Sequence, residues 1–164
     1  MPLCENNMYK LFNTSMIVSL SLLSVGACGE DSSSSEPDAF ASCTTDSRAM
    51  TYLAGMSVIA DDGMKLVLRS ATPEPPARFD NVWSVQTQDD QGQPLASTAL
   101  RVAPYMPDHG HGTQNPPLPV AGSEVGVFDM GPFEFWMPGV WEMHVEFDHD
   151  GMTSKAVLTF CIDE

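Results

Sequence analysis

Apolar and polar side chains alternate along the carboxy-terminal part of the chain, as they do in strands that bury one face. In the clearest run, four apolar residues alternate with three polar residues, namely Trp141, Met143, Val145 and Phe147 with Glu142, His144 and Glu146. Because successive strand side chains point to opposite faces, we expect the apolar set in the core and the polar set in solvent.

Turn signals such as Asp62-Gly63 and Asp150-Gly151 separate this run from others like it. We predict about seven strands, near residues 51–59, 64–70, 80–88, 97–105, 124–130, 133–137 with 140–147, and 155–161. Thirteen Pro and twelve Gly disfavour helices. The pattern therefore predicts an all-β fold, an antiparallel sandwich of two sheets. Large side chains expected in its core are Trp83, Trp141, Phe135, Phe147 and Phe160.

Residues 1–27 are predicted to be a targeting segment. Lys10 supplies a weak positive region, and residues 16–27 form an apolar core that is too short to span a bilayer. The core ends in Val25-Gly26-Ala27-Cys28, which resembles the lipobox of bacterial lipoproteins. This resemblance implies cleavage before Cys28 and lipid attachment to its sulfur, and Gly29 then favours the outer membrane. An ordinary signal peptide followed by an incidental Cys is the alternative.

Residues 28–42 are small, acidic and rich in Ser, which predicts a flexible tether between the anchor and a folded domain at residues 43–164. Cys43 and Cys161 are the cysteines that remain once the leader is removed and Cys28 is lipidated. In an exported protein, such a pair is most simply a disulfide. A role as a metal ligand or a nucleophile is the alternative for either residue.

The composition argues against several classes of function. The net charge is −15, with only seven Lys and Arg residues, and the pI is near 4.3. Nucleic-acid binding requires many basic side chains, so we expect no nucleic-acid partner. The chain also contains no G-x-S-x-G nucleophile motif and no Gly-rich phosphate loop after a strand. We therefore do not expect an enzyme.

The segment Met106-Pro107-Asp108-His109-Gly110-His111-Gly112 is the strongest candidate for a functional site. Its Pro and Gly residues predict an exposed turn. Imidazole and thioether ligands together suit copper above other metals, with zinc as an alternative. We predict His109, His111 and Met106 as ligands, with Met137 joining them from a second loop. A turn whose histidines only shape the fold remains the competing interpretation.

Two further histidines are expected to be exposed. His144 lies between Glu142 and Glu146 on the polar face of a predicted strand. His149 precedes Asp150-Gly151 and is predicted to lie in a hairpin turn. Neither position favours a ligand role over ordinary solvation.

A wider pattern of motifs resembles a known family. Asp90-Gln91-Gly92-Gln93-Pro94-Leu95 is followed by the segment at residues 106–112, then by Phe133-Glu134-Phe135-Trp136-Met137-Pro138-Gly139 and Trp141-Glu142-Met143. This order resembles the YtkA-like domain, which is related to the FixH proteins. The resemblance implies an immunoglobulin-like sandwich with no known catalytic activity. FixH-like relatives are associated with the assembly of copper-containing respiratory oxidases, although a lipid anchor here would replace their membrane helix.

These observations together favour an exported, lipid-anchored binding domain. The membrane would be its partner through Cys28, at the periplasmic face of the outer membrane or at the cell surface. Copper binding or delivery through the His109 and His111 loop is the most specific form of the hypothesis. The alternative is a non-catalytic structural or protein-interaction domain of the cell envelope that binds no metal. A subunit of an envelope enzyme is a third possibility.

Overall fold

The computed structural model describes residues 42–163, which contain one 3₁₀ turn, Cys43–Thr45, followed by nine strands. These strands are β1 Met56–Ile59, β2 Lys65–Thr72, β3 Phe79–Gln88, β4 Ala99–Met106, β5 His111–Gly112, β6 Val120–Ala121, β7 Val127–Phe135, β8 Gly139–His149 and β9 Met152–Ile162. Within this part of the chain, no helix is long and apolar enough to cross a bilayer. The predicted signal peptide, the Cys28 anchor and most of the tether lie outside the described residues.

The strands form two antiparallel sheets. One has the order β1-β2-β3-β7-β6, and the other has the order β5-β4-β8-β9. A single core cluster contains buried side chains from both sheets. The predicted all-β class and two-sheet architecture are therefore confirmed. Neighbours such as β3 with β7 and β4 with β8 are distant in sequence, so each sheet is assembled by chain crossovers.

The alternating register predicted for β8 is also confirmed. Its four apolar residues are each at most 1% exposed, and they are Trp141, Met143, Val145 and Phe147. His144 on the opposite face is exposed, and Glu142 and Glu146 beside it are partly exposed. The strand buries one face because its side-chain period matches the pleat.

The predicted boundary between strands near 124–130 and 133–137 is wrong. Both segments belong to β7, and the second is not continuous with β8. The pairing of β7 with β3 shifts register between Asn81 and Trp83, opposite Gly131-Pro132. An extra residue at such a bulge moves the buried positions from Phe128 and Met130 to Phe133 and Phe135. The residues of β7 in the core cluster therefore have even numbers before the bulge and odd numbers after it. Because the alternation is interrupted, this one strand resembles two strands in the sequence.

The count of about seven strands is corrected to nine because two short strands were not predicted. β5 and β6 contain two residues each, so they are too short to show any alternation. The first predicted strand is also shorter than expected, since β1 begins at Met56.

His149 is not exposed, contrary to the prediction from its place beside Asp150-Gly151. The residue is 3% exposed and ends β8. It lies on the same face of the strand as Phe147 and Trp141, because its position continues their period of two. The hairpin turn itself consists of Asp150 and Gly151, both with positive φ.

The predicted disulfide between Cys43 and Cys161 is confirmed, with their Cα atoms 5.3 Å apart. The bond joins the 3₁₀ turn to β9 across a sequence separation of 118 residues. It therefore fixes the beginning of the described domain to its last strand.

Candidate functional site

The loop that carries His109 and His111 is a tight connection between β4 and β5. The backbone N–H groups of His109 and Gly110 both donate to the carbonyl of Met106, over 3.2 and 2.9 Å. Gly110 has a φ of +69°, a conformation that glycine adopts at little cost. A Cβ atom at Gly112 would lie 2.5 Å from the carbonyl oxygen of Pro104, so a side chain there would push β5 away from β4.

Both histidines of this loop are exposed, and their rings lie side by side. The ring centroids of His109 and His111 are 5.7 Å apart, with an angle of 69° between the planes. A metal lies about 2 Å from a coordinating imidazole nitrogen, so two rings that share one ion have centroids within roughly 6 Å. The observed separation of the two centroids is within this limit.

Met106 does not lie on the exposed loop, so the exposure predicted for this candidate ligand is wrong. Its side chain is 1% exposed and its methyl group lies against Gly139. The reason is the register of β4, in which Leu100 and Val102 also face the core. Met106 continues this series as the last inward residue of the strand, before the chain turns outward.

Met137 is half-buried and packs against the core cluster. Its backbone carbonyl accepts a hydrogen bond from Nε1 of Trp141, over 2.9 Å. The ring of Trp141 lies 6.3 Å from the ring of His111 in an edge-to-face arrangement. Together with the contact of Met106 with Gly139, this brings the two predicted motifs to the same end of the domain.

Arg48 forms hydrogen bonds that connect the loop to the amino-terminal segment of the domain. Its Nη1 donates to Asp108 over 2.7 Å, and its Nη2 donates to Asp46 over 2.7 Å. These hydrogen bonds favour the charged carboxylates, so they lower the pKa of Asp46 from 3.8 to about 2 and also lower the pKa of Asp108. Sequence reasoning missed Arg48 because it lies far from the loop in the sequence and belongs to no motif.

Two clefts flank the loop. One has a volume of about 340 Å³ and is lined by residues that include Met106, His109, Asp108 and Asp46. The other has a volume of about 240 Å³ and is lined by His111, Gly112, Gln114, Trp136 and Trp141. Each histidine of the pair therefore faces a different depression of the surface.

Among the residues that the structure describes, His109 and His111 belong to no group of three His, Cys, Asp or Glu side chains whose donor atoms lie within 4.8 Å of one another. Within residues 42–163, one group of three His, Cys, Asp or Glu side chains brings its donor atoms within 4.8 Å of one another, and it consists of Cys43, Cys161 and Asp163. The two sulfur atoms in that group form the disulfide, so they are not thiolates that can bind a metal.

A second cluster contains the residue types of a hydrolytic triad. Nε2 of His149 lies 2.7 Å from Oγ of Ser154, and that hydroxyl donates to Oδ2 of Asp62 over 2.6 Å. Asp62 also lies 3.3 Å from the same nitrogen, Nε2 of His149. A triad requires the carboxylate and the hydroxyl on opposite ring nitrogens and an accessible nucleophile. Ser154 is fully buried, so this network connects the turn at Asp62 to the β8–β9 hairpin.

No family model, curated protein or solved structure matches the chain. The YtkA-like resemblance thus rests on the motifs themselves. The structure brings these motifs close together, but membership of the family and the functions that it implies remain predictions.

Proposed function

We propose that this protein is an exported, lipid-anchored binding domain of the cell envelope that binds copper through His109 and His111. The observation that carries the proposal is the exposed pair of imidazole rings, whose centroids are 5.7 Å apart on a short, constrained hairpin. Because the hairpin is held by backbone hydrogen bonds and by the pairing of Met106 with His111, little ordering is required when an ion binds.

The ligand types favour copper over zinc at this position. Divalent copper binds nitrogen ligands more tightly than zinc does, and two imidazoles with water molecules suit its tetragonal geometry. The burial of Met106 removes the exposed thioether that would favour copper(I). We therefore propose copper(II) as the ion that the His109 and His111 pair binds first.

Isothermal calorimetry of the untagged protein with copper(II) tests this proposal. We expect one binding event per chain, which His109→Ala with His111→Ala weakens at least tenfold, or by about 1.4 kcal/mol. We also expect copper(II) to quench tryptophan fluorescence, since His111 lies 6.3 Å from the ring of Trp141. Zinc should bind more weakly than copper and should leave the fluorescence nearly unchanged.

His144→Ala is the matched control, because His144 is an exposed histidine that pairs with Glu142 on the outer face of β8. This variant should bind copper as tightly as the wild type. Equal copper affinity in the double variant and the wild type would show that copper binds at another site. The absence of copper binding in the wild type would leave the alternative, a non-catalytic structural or interaction domain.

The anchor is tested separately from the metal. We expect Cys28→Ser to move the protein from the membrane fraction to the soluble fraction, because the lipid on the Cys28 sulfur would be lost. Fractionation followed by immunoblotting measures this change, with Cys43→Ser as a control that should stay in the membrane fraction. A wild-type protein that is already soluble would contradict the proposed lipidation.

A further inference from the structure

The cleft on the His111 side of the loop differs in charge from three other clefts among the described residues. It is lined by His111, Gly112, Gln114, Trp136 and Trp141, and none of these side chains carries a formal charge when the imidazole is neutral. Three other clefts in the described part of the chain each include a charged side chain: Asp108 in one, Glu124 in another and Asp163 in a third. In a chain with a net charge of −15, an uncharged and aromatic cleft is a distinct chemical environment.

We propose that this cleft binds a neutral sugar ring. Trp136, the residue that follows β7, is 48% exposed and provides an aromatic surface at the edge of the cleft. Its backbone carbonyl accepts a hydrogen bond from Nη2 of Arg78, over 3.1 Å, which helps to fix the chain at this position. One face of a pyranose ring consists largely of C–H groups, and it packs on an indole face through dispersion and weak C–H contacts.

Gln114 and His111 supply the polar groups that such a ligand requires. The exposed amide of Gln114 offers both donors and an acceptor. Nδ1 of His111 donates to the carbonyl of Gly112 over 3.2 Å, so its Nε2 offers one acceptor. Sugar hydroxyls also act as donors and acceptors, so they match this set without needing a charged partner. An apolar wall with a few convergent polar groups is the general composition of small-molecule sites.

Size and charge restrict the ligand further. The cleft volume of about 240 Å³ is below the range of about 300–1,000 Å³ that is usual for drug-sized ligands, so it suits a single ring or the end of a glycan. An acidic sugar would be repelled by the net charge of −15. A quaternary ammonium ion would bind the indole by cation–π attraction, but no carboxylate lines the cleft to assist it.

Titration of the purified protein with methyl glucoside, methyl galactoside and N-acetylglucosamine tests this proposal by NMR. The chain has three tryptophans, so their indole N–H signals can be followed individually. We expect a saturable shift of the Trp136 signal with at least one neutral sugar, and no saturable shift with glucuronate or choline. Trp136→Ala should weaken binding about tenfold, and Gln114→Ala should weaken it severalfold.

Phe79→Ala is the control, because it removes another half-exposed aromatic ring that does not line this cleft. It should leave sugar binding unchanged. His109→Ala should weaken copper binding and leave sugar binding intact, whereas Trp136→Ala should do the reverse, so the two proposals fail independently. No saturable shift with any of the three sugars, or sugar binding that survives Trp136→Ala, would overturn the proposal. Saturable binding of choline alone would assign the cleft to a cation instead.

Discussion

The Cys43→Ser, Cys161→Ser double variant should be less stable than the wild type by about 4–5 kcal/mol. The disulfide closes a loop of 118 residues, so its loss returns a large conformational entropy to the unfolded chain. The effect should appear as a lower midpoint of urea unfolding, followed by the fluorescence of the buried tryptophans Trp83 and Trp141.

Reduction of the wild type provides the control for this prediction. Treatment with a dithiol should lower the unfolding midpoint towards that of the double variant, and the double variant itself should not respond to the reductant. Cys161 is partly exposed, whereas Cys43 is buried. Similar unfolding midpoints for the oxidised wild type and the double variant would show that the bond contributes little stability.

The sequence was sufficient to predict those parts of the fold in which one face of a strand is buried without interruption. In β8, Trp141 and Phe147 are in the core and His144 is exposed, as their alternation predicts. The disulfide was predictable because Cys43 and Cys161 remained once the predicted leader and the predicted lipid-bearing Cys28 were set aside. Such features depend on local periodicity or on residue counts, which a single sequence shows directly.

Features that depend on a change of register were not predictable in the same way. The bulge at Gly131-Pro132 shifts the buried positions of β7 by one residue, so a period of two fails across it. His149 is a different case, because its alternation with Phe147 did indicate burial. The neighbouring Asp150-Gly151 turn predicted an exposed side chain, and that prediction is wrong because β8 continues through His149 before the turn begins.

The candidate site was predictable in its residues but not in its surroundings. Pro and Gly indicated the exposed loop of His109 and His111, which the structure contains. The inward position of Met106 follows from the register of β4, which a motif alone does not include. Arg48 comes from the amino-terminal segment, so only the tertiary fold brings it to Asp108.

Trp141→Ala should destabilise the protein by about 3–5 kcal/mol, the range expected when a buried tryptophan is truncated. Trp141 is fully buried, and its ring packs against Phe135 with the centroids 5.2 Å apart. The variant also removes the hydrogen bond to the carbonyl of Met137. Because the ring of Trp141 lies beside His111, copper binding should weaken as well. Urea unfolding and calorimetry measure the two effects.

Trp136→Ala is the matched control, since Trp136 lines the same cleft but is half-exposed. It should destabilise the protein by only about 1–1.5 kcal/mol, since about half of the side chain is already in solvent. Trp141→Phe retains most of the packed ring and loses the hydrogen bond, so it should cost about 1–3 kcal/mol. If Trp136→Ala were as destabilising as Trp141→Ala, the difference in burial between the two tryptophans would be contradicted. If Trp141→Ala left copper binding unchanged, the loop would hold its conformation without support from the ring beneath His111.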